Sequence, residues 1–177
     1  MKVIGIAGYS NSGKTHLIER LIPALKARAL SVSVVKHVHH SFDIDHPGKD
    51  SFRHREAGAF EVLVASRHRL ALMREFGRET QLSVHHLLAE LDRAVDWVLV
   101  EGFKSSELPR LEVWRAAAGK PLRYREDELV LAIATDSPHQ LPQDVPRHVL
   151  DLNDAEAVAQ WLVTHGYRFE YNPATWS

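Results

Sequence analysis

The sequence contains no cysteine. That excludes a disulfide framework, a thiol nucleophile and any Cys-ligated zinc or iron–sulfur centre, and it fits a chain working in a reducing cytoplasm. Charge of one sign is also lacking. With 22 basic and 23 acidic residues the formal net charge is −1, so no whole-molecule field draws nucleic acid or an anionic membrane, and neither is expected as a partner. Long apolar runs are missing too. No stretch approaches the roughly 20 apolar residues that cross a bilayer. The apolar start Met1-Lys2-Val3-Ile4-Gly5-Ile6-Ala7 is broken by Gly8-Tyr9-Ser10 before the core of a signal peptide could form. Repeats, low-complexity tracts and linkers are absent. What remains is a chain of 177 residues, 45 % apolar and 25 % charged, long enough to bury one sizeable core. A single soluble domain over residues 1–177 is the expectation.

The apolar segments alternate between two periods. Residues 3–7 are short, β-branched and nearly all apolar, which predicts a buried parallel strand. Leu17, Ile18, Leu21, Ile22 and Leu25 recur at helical spacing and predict an amphipathic helix over 14–29, with a bend or irregularity at Pro23. Residues 31–37 form the next strand of a β–loop–α–β unit. A polar loop over 41–58 leads into a short helix near 51–57. Residues 60–65 and 70–74 predict a hairpin closed through Ser66-Arg67-His68-Arg69. A helix over 83–91 and strands at 97–100, 111–114 and 129–135 follow. The last helix spans 154–165, with Asp154 as N-cap and Gly166 as stop. This order predicts an α/β, three-layer P-loop NTPase-like fold: a mostly parallel sheet, helices on both faces, and an additional β-hairpin.

Gly8-Tyr9-Ser10-Asn11-Ser12-Gly13-Lys14-Thr15 matches the full phosphate-loop pattern, in the right context of a preceding strand and a following helix. Glycines let the backbone turn its N–H groups inward around a phosphate. The helix N-terminus adds unpaired donors and a favourable dipole. Lys14 is placed to reach β- and γ-phosphate oxygens, Thr15 to ligate Mg²⁺, and the His16 N–H to meet the α-phosphate.

Carboxylates for a metal are sought at strand ends. Trp97-Val98-Leu99-Val100-Glu101-Gly102 is an apolar strand ending in an acid, where P-loop proteins hold Mg²⁺ or orient the attacking water. Glu101 stands where most carry Asp, and Gly102 permits close backbone approach. The loop after the second strand supplies Asp43, Asp45 and Asp50 as metal or water-positioning groups. Lys36, Lys49, Arg53 and Arg55 would neutralise phosphate charge, and together these have the parts of a switch loop. Asp45 and Glu101 join Thr15 as expected Mg²⁺ ligands, and join Lys14 as the catalytic set. His37, His39, His40, His46 and His54 invite a transition-metal reading, although no spacing sets a tetrahedral site. Thr135-Asp136 closes another apolar strand, so Asp136 is a candidate acceptor for a guanine ring. It opens a turn before Pro138 equally well.

These residues resemble the molybdopterin-guanine dinucleotide biosynthesis adaptor protein B (MobB) family. The resemblance lies in residues 3–15, in Val35-Lys36-His37, in Phe42-Asp43-Ile44-Asp45-His46-Pro47-Gly48-Lys49-Asp50-Ser51, and in Arg53 with Ala57-Gly58-Ala59. Leu99-Val100-Glu101-Gly102-Phe103-Lys104 and Ala134-Thr135-Asp136 also match. It implies a GTP-binding protein that uses Mg²⁺, hydrolyses weakly and forms a homodimer. Its implied partner is the MobA-type guanylyltransferase that joins GMP to molybdopterin, with molybdopterin itself as a further ligand. His16 departs from the second Thr that members often carry. Two other functions stay open on the residues alone: a P-loop small-molecule kinase, with Arg67, Arg69, Arg74, Arg123 and Arg125 as lid candidates, and a nucleotide-regulated metal-delivery module using the His loop.

Overall fold

Short apolar strands and amphipathic helices do assemble as layers. The structure, a computed structural model, describes residues 1–38, 42–103, 105–143, 145 and 147–175. It divides into two compact units: Met1–His37 with Ser83–Ser177, and Val38–Leu82.

The first unit holds six strands, β1 (Lys2–Ala7), β2 (Val32–Lys36), β5 (Trp97–Glu101), β6 (Arg110–Trp114), β7 (Val130–Thr135) and β8 (His148–Asp151). They form one sheet in the order β2-β5-β1-β6-β7-β8, and every pairing is parallel. Because successive strand residues face opposite ways, β1 feeds two cores. Ile4 and Ile6 pack with Leu17 and Leu21 of α1 (Lys14–Lys26) and with Val158 and Leu162 of α4 (Ala155–Thr164). Val3 packs on the other face with Val98, Val100, and Val84 and Leu88 of α3 (Val84–Ala89). Helices thus cover both faces of a sheet too apolar to leave open, and the α/β class is as expected. Ser83 and Asp154 cap α3 and α4, accepting from the N–H groups of His86 and Ala157 at 3.3 Å and 2.9 Å.

The second unit contains α2 (Asp50–Glu56) and the antiparallel hairpin of β3 (Glu61–Ala65) and β4 (Leu70–Arg74). The Ser66 N–H donates to Arg69 at 2.8 Å to close the turn. Pro47-Gly48 forms another turn, with the Lys49 N–H donating to His46 at 3.2 Å and Gly48 at φ 90°. A proline followed by a positive-φ glycine suits a type II turn.

Three expectations change. Helix α1 stops at Lys26 instead of running to residue 29, because Ala29 turns left-handed at φ 57° and Leu30 donates back to Leu25. Pro23 lies inside the helix on its exposed side. Gly166 opens a 3₁₀ turn, Gly166–Phe169, rather than supplying a left-handed stop. A Cβ there would sit 2.9 Å from Lys2 Cε, so close packing explains the glycine. Strand β8 is an addition; His148-Val149-Leu150-Asp151 is a four-residue, mostly exposed strand, too short for its alternation to register.

Candidate functional site

The loop between β1 and α1 is built on special backbone. Gly8 has φ 142°, Asn11 φ 64° and Gly13 φ 96°. A Cβ at Gly8 would lie 2.5 Å from the Val113 carbonyl oxygen and 2.6 Å from Ser12 Oγ, so only glycine lets the loop leave β1 alongside β6. Ser12 is 2 % exposed, and its hydroxyl has no hydrogen-bond partner. A buried polar atom left unpaired carries a cost of about 1–3 kcal/mol. A hydroxyl needs an acceptor, and an anion seated in the loop would offer one. Lys14 Nζ donates to the Tyr9 carbonyl at 2.8 Å, a bond that curls the loop around the same space. Ser10 and His16 are exposed on it.

Beside the loop, the Thr15 hydroxyl donates to Glu101 Oε1 at 3.0 Å. Lys36 Nζ stands 3.6 Å from the other carboxylate oxygen, with the Glu101 side chain 11 % exposed. Strand order explains the meeting: β5 lies between β1 and β2, pairing Ile6 with Glu101 and Lys36 with Glu101. Hydroxyl and carboxylate oxygen are the donors a hard divalent cation such as Mg²⁺ takes, so these two fit the ion. Gly102, at φ 114°, would drive a Cβ to 2.7 Å from the His37 carbonyl oxygen. Its close approach is therefore to the end of β2, where the His37 N–H donates to Glu101 at 2.8 Å.

Asp136, just past β7, is engaged on both oxygens. Oδ1 accepts from the Ser137 hydroxyl at 2.8 Å, and Oδ2 lies 3.3 Å from Arg115 Nη1. Arg115, the first residue beyond β6, carried no signal in the sequence, which does not reveal that β6 borders β1. Glu112 was likewise missed. It is 1 % exposed and accepts from the N–H groups of Arg123 and Tyr124 at 2.7 Å and 3.0 Å. Burial raises its pKa above the usual carboxylate value, against the pull of those two bonds. The Arg123 guanidinium in turn lies over the Tyr9 ring, 5.8 Å from its centroid.

The remaining predicted residues belong to the second unit. Asp45 accepts from the Ser51 hydroxyl at 2.9 Å, the His46 N–H at 3.0 Å and Arg55 Nε at 3.2 Å. Burial pushes its pKa up, and the bonds from Ser51, His46 and Arg55 outweigh that and bring it below the usual value. Arg55 also binds Glu75 at 2.7 Å and Asp43 at 3.4 Å, tying the 43–45 loop, α2 and the end of β4 together. Lys49 is the residue before α2, and Arg53 and Asp50 form an exposed pair at 3.7 Å. Of the histidines, His39 and His40 lie outside the described residues. Among the described residues no group of three or more His, Asp or Glu could hold a metal, and no helix is long and apolar enough to cross a membrane.

Comparison with known proteins gives three findings. A model of the family described as molybdopterin guanine dinucleotide synthesis protein B matches residues 3–136. Molybdopterin-guanine dinucleotide biosynthesis adapter proteins from Escherichia coli and Haemophilus influenzae are 42 % and 43 % identical. The first alignment covers 91 % of each chain, and the second covers 90 % of this chain and 86 % of the relative. A crystal structure of molybdopterin-guanine biosynthesis protein B superposes with TM-score 0.71 at 27 % identity, over 92 % of this chain and 97 % of that one.

Proposed function

The chain belongs to the molybdopterin guanine dinucleotide synthesis protein B family, and we propose that it is a GTP-binding adaptor in molybdopterin-guanine dinucleotide biosynthesis. In this reading it holds Mg²⁺·GTP on the 8–15 loop, hydrolyses it slowly, and serves the guanylyltransferase that joins GMP to molybdopterin. The observation that carries the nucleotide reading is the orphaned Ser12 hydroxyl inside a left-handed loop, next to the Thr15–Glu101 pair. Backbone N–H groups and Lys14 would hold β- and γ-phosphates, while Thr15 and Glu101 would hold the ion. A divalent ion bridging phosphate oxygens neutralises charge that develops during transfer. Asp136 keeps lone pairs for a guanine edge, since a carboxylate offers about four acceptor sites. Asp45 would act in turnover only after exchanging its Ser51 and Arg55 partners.

Calorimetric titration with GTP and with ATP, each with Mg²⁺, tests this. Tighter binding of GTP by about tenfold or more (about 1.4 kcal/mol) is expected. Preference for ATP would overturn the guanine reading and favour the second one, a small-molecule kinase. A cavity of about 410 Å³ lined by Tyr9, Arg110, Arg123 and Asp127 would give that kinase an acceptor site, and phosphate transfer to an added acceptor would reveal it.

The homodimer rests on the hairpin. Leu63 is opposite Leu72, and Leu70 is opposite Ala65, and the three leucines are 61 %, 41 % and 66 % exposed. Apolar groups sharing one face of a two-stranded sheet invite a partner. Light scattering is expected to give a dimer mass for the wild type and a monomer mass for Leu72→Glu; a wild type that is monomeric at high concentration would remove the dimer.

A further inference from the structure

Beyond β6 the chain places a guanidinium against the phosphate loop. An ideal Cβ on Gly13 would lie 3.2 Å from Arg115 Nε and 3.3 Å from Arg115 Nη2, so the planar group lies against the backbone of the N-cap residue just before α1. Gly13 is glycine partly for this reason, since a larger residue would displace the arginine. The contact follows from the fold. Strand β6 pairs directly with β1 and ends one residue before Arg115. Ligands of open α/β sheets lie outside the carboxyl ends of the strands, which is where this side chain sits.

Its hydrogen bonding is incomplete. Arg115 Nε is buried and has no hydrogen-bond partner. The group pairs with Asp136 at 3.3 Å, with the two side chains 32 % and 28 % exposed. An ion pair this accessible is only weakly held and exchanges readily for a stronger anion. Guanidinium suits phosphate oxygens because its N–H groups form a fixed fork.

We propose that Arg115 is a phosphate-binding residue of the nucleotide site, held against Gly13 by Asp136 until the nucleotide arrives. The inference rests on the reading of the 8–15 loop as a nucleotide site, and it adds a positive charge delivered from β6. It also gives Asp136 a task besides any contact with the base: orienting the arginine.

The test is titration of the wild type, Arg115→Gln and Arg115→Lys with GTP, GDP and guanosine, with thermal melting of each protein. Arg115→Gln is expected to weaken GTP by about tenfold or more, GDP by less, and guanosine hardly at all. Arg115→Lys should recover part of the loss, because it restores charge without the fork. Unchanged GTP affinity in a variant that melts like the wild type overturns the proposal. So does an equal loss for guanosine and GTP, or a loss that tracks a lowered melting temperature, since either marks a structural role. A wild type that binds none of the three overturns the nucleotide reading itself, and is told apart by failing before any substitution is made.

Discussion

Lys14→Ala is expected to lose about 100-fold or more in GTP affinity while the protein stays folded. Two charge-assisted hydrogen bonds to phosphate, each about 1.5–3 kcal/mol, account for that scale at 1.4 kcal/mol per decade. The fold should survive because the Lys14 ammonium is only partly buried, and its bond to the Tyr9 carbonyl stabilises the loop rather than either core. Titration calorimetry beside thermal melting separates the two effects, and full affinity in a folded variant would sink the phosphate-loop assignment. Glu101→Ala and Asp45→Ala provide the contrast. Both should reduce Mg²⁺-dependent turnover more than nucleotide affinity. Glu101 stands 3.0 Å from Thr15, whereas Asp45 is bound to Ser51 and Arg55. Undiminished turnover in either variant would remove that residue from the mechanism.

Glu112→Ala is expected to cost roughly 2–4 kcal/mol of stability, since it strips two backbone N–H groups of their acceptor. Those N–H groups, on Arg123 and Tyr124, fasten the segment between β6 and β7 onto the sheet. That segment brings Arg123 over Tyr9, so the loss should extend to the nucleotide site. The pH dependence has a definite sign. Burial raises the Glu112 pKa in the folded state, so the folded chain holds this proton more tightly than the unfolded chain. The resulting stabilisation is complete below the unfolded value and is lost as pH rises through the raised folded value. The cost of Glu112→Ala, measured by denaturant titration, should therefore be greatest in acid and shrink toward neutrality. Glu112→Gln keeps one acceptor and cannot titrate, so it should cost less and show a flat profile against alanine. A Glu112→Ala protein within about 0.5 kcal/mol of wild type, the range of ordinary surface changes, would refute this anchoring role.

Much was legible in the sequence because it is local. The spacing of Gly8, Gly13, Lys14 and Thr15 dictates a loop whose backbone only glycine tolerates at Gly8 and Gly13, and the loop has that form. Leu17, Ile18, Leu21 and Leu25 mark one helix face, and all four are buried. Pro47-Gly48 encodes a turn, and the hairpin closes through the expected residues. The apolar run before Glu101 marks a strand that is buried throughout. These features depend on neighbours a few positions apart, which is the range over which periodicity and turn chemistry act.

Tertiary structure decided which strand ends meet. Parallel strands are joined through crossovers, so neighbours in the sheet are distant in the chain, and no local pattern records the order β2-β5-β1-β6-β7-β8. That order set Glu101 against Thr15, brought Arg115 against Gly13, and buried Glu112 under the segment that follows it. In the sequence, Glu112 is one charge inside a short apolar run and Arg115 is the charge that follows it. They acquire their partners only when β6 takes its place in the sheet beside β1, because charge and hydrogen bonding act through space while the sequence orders residues along the chain.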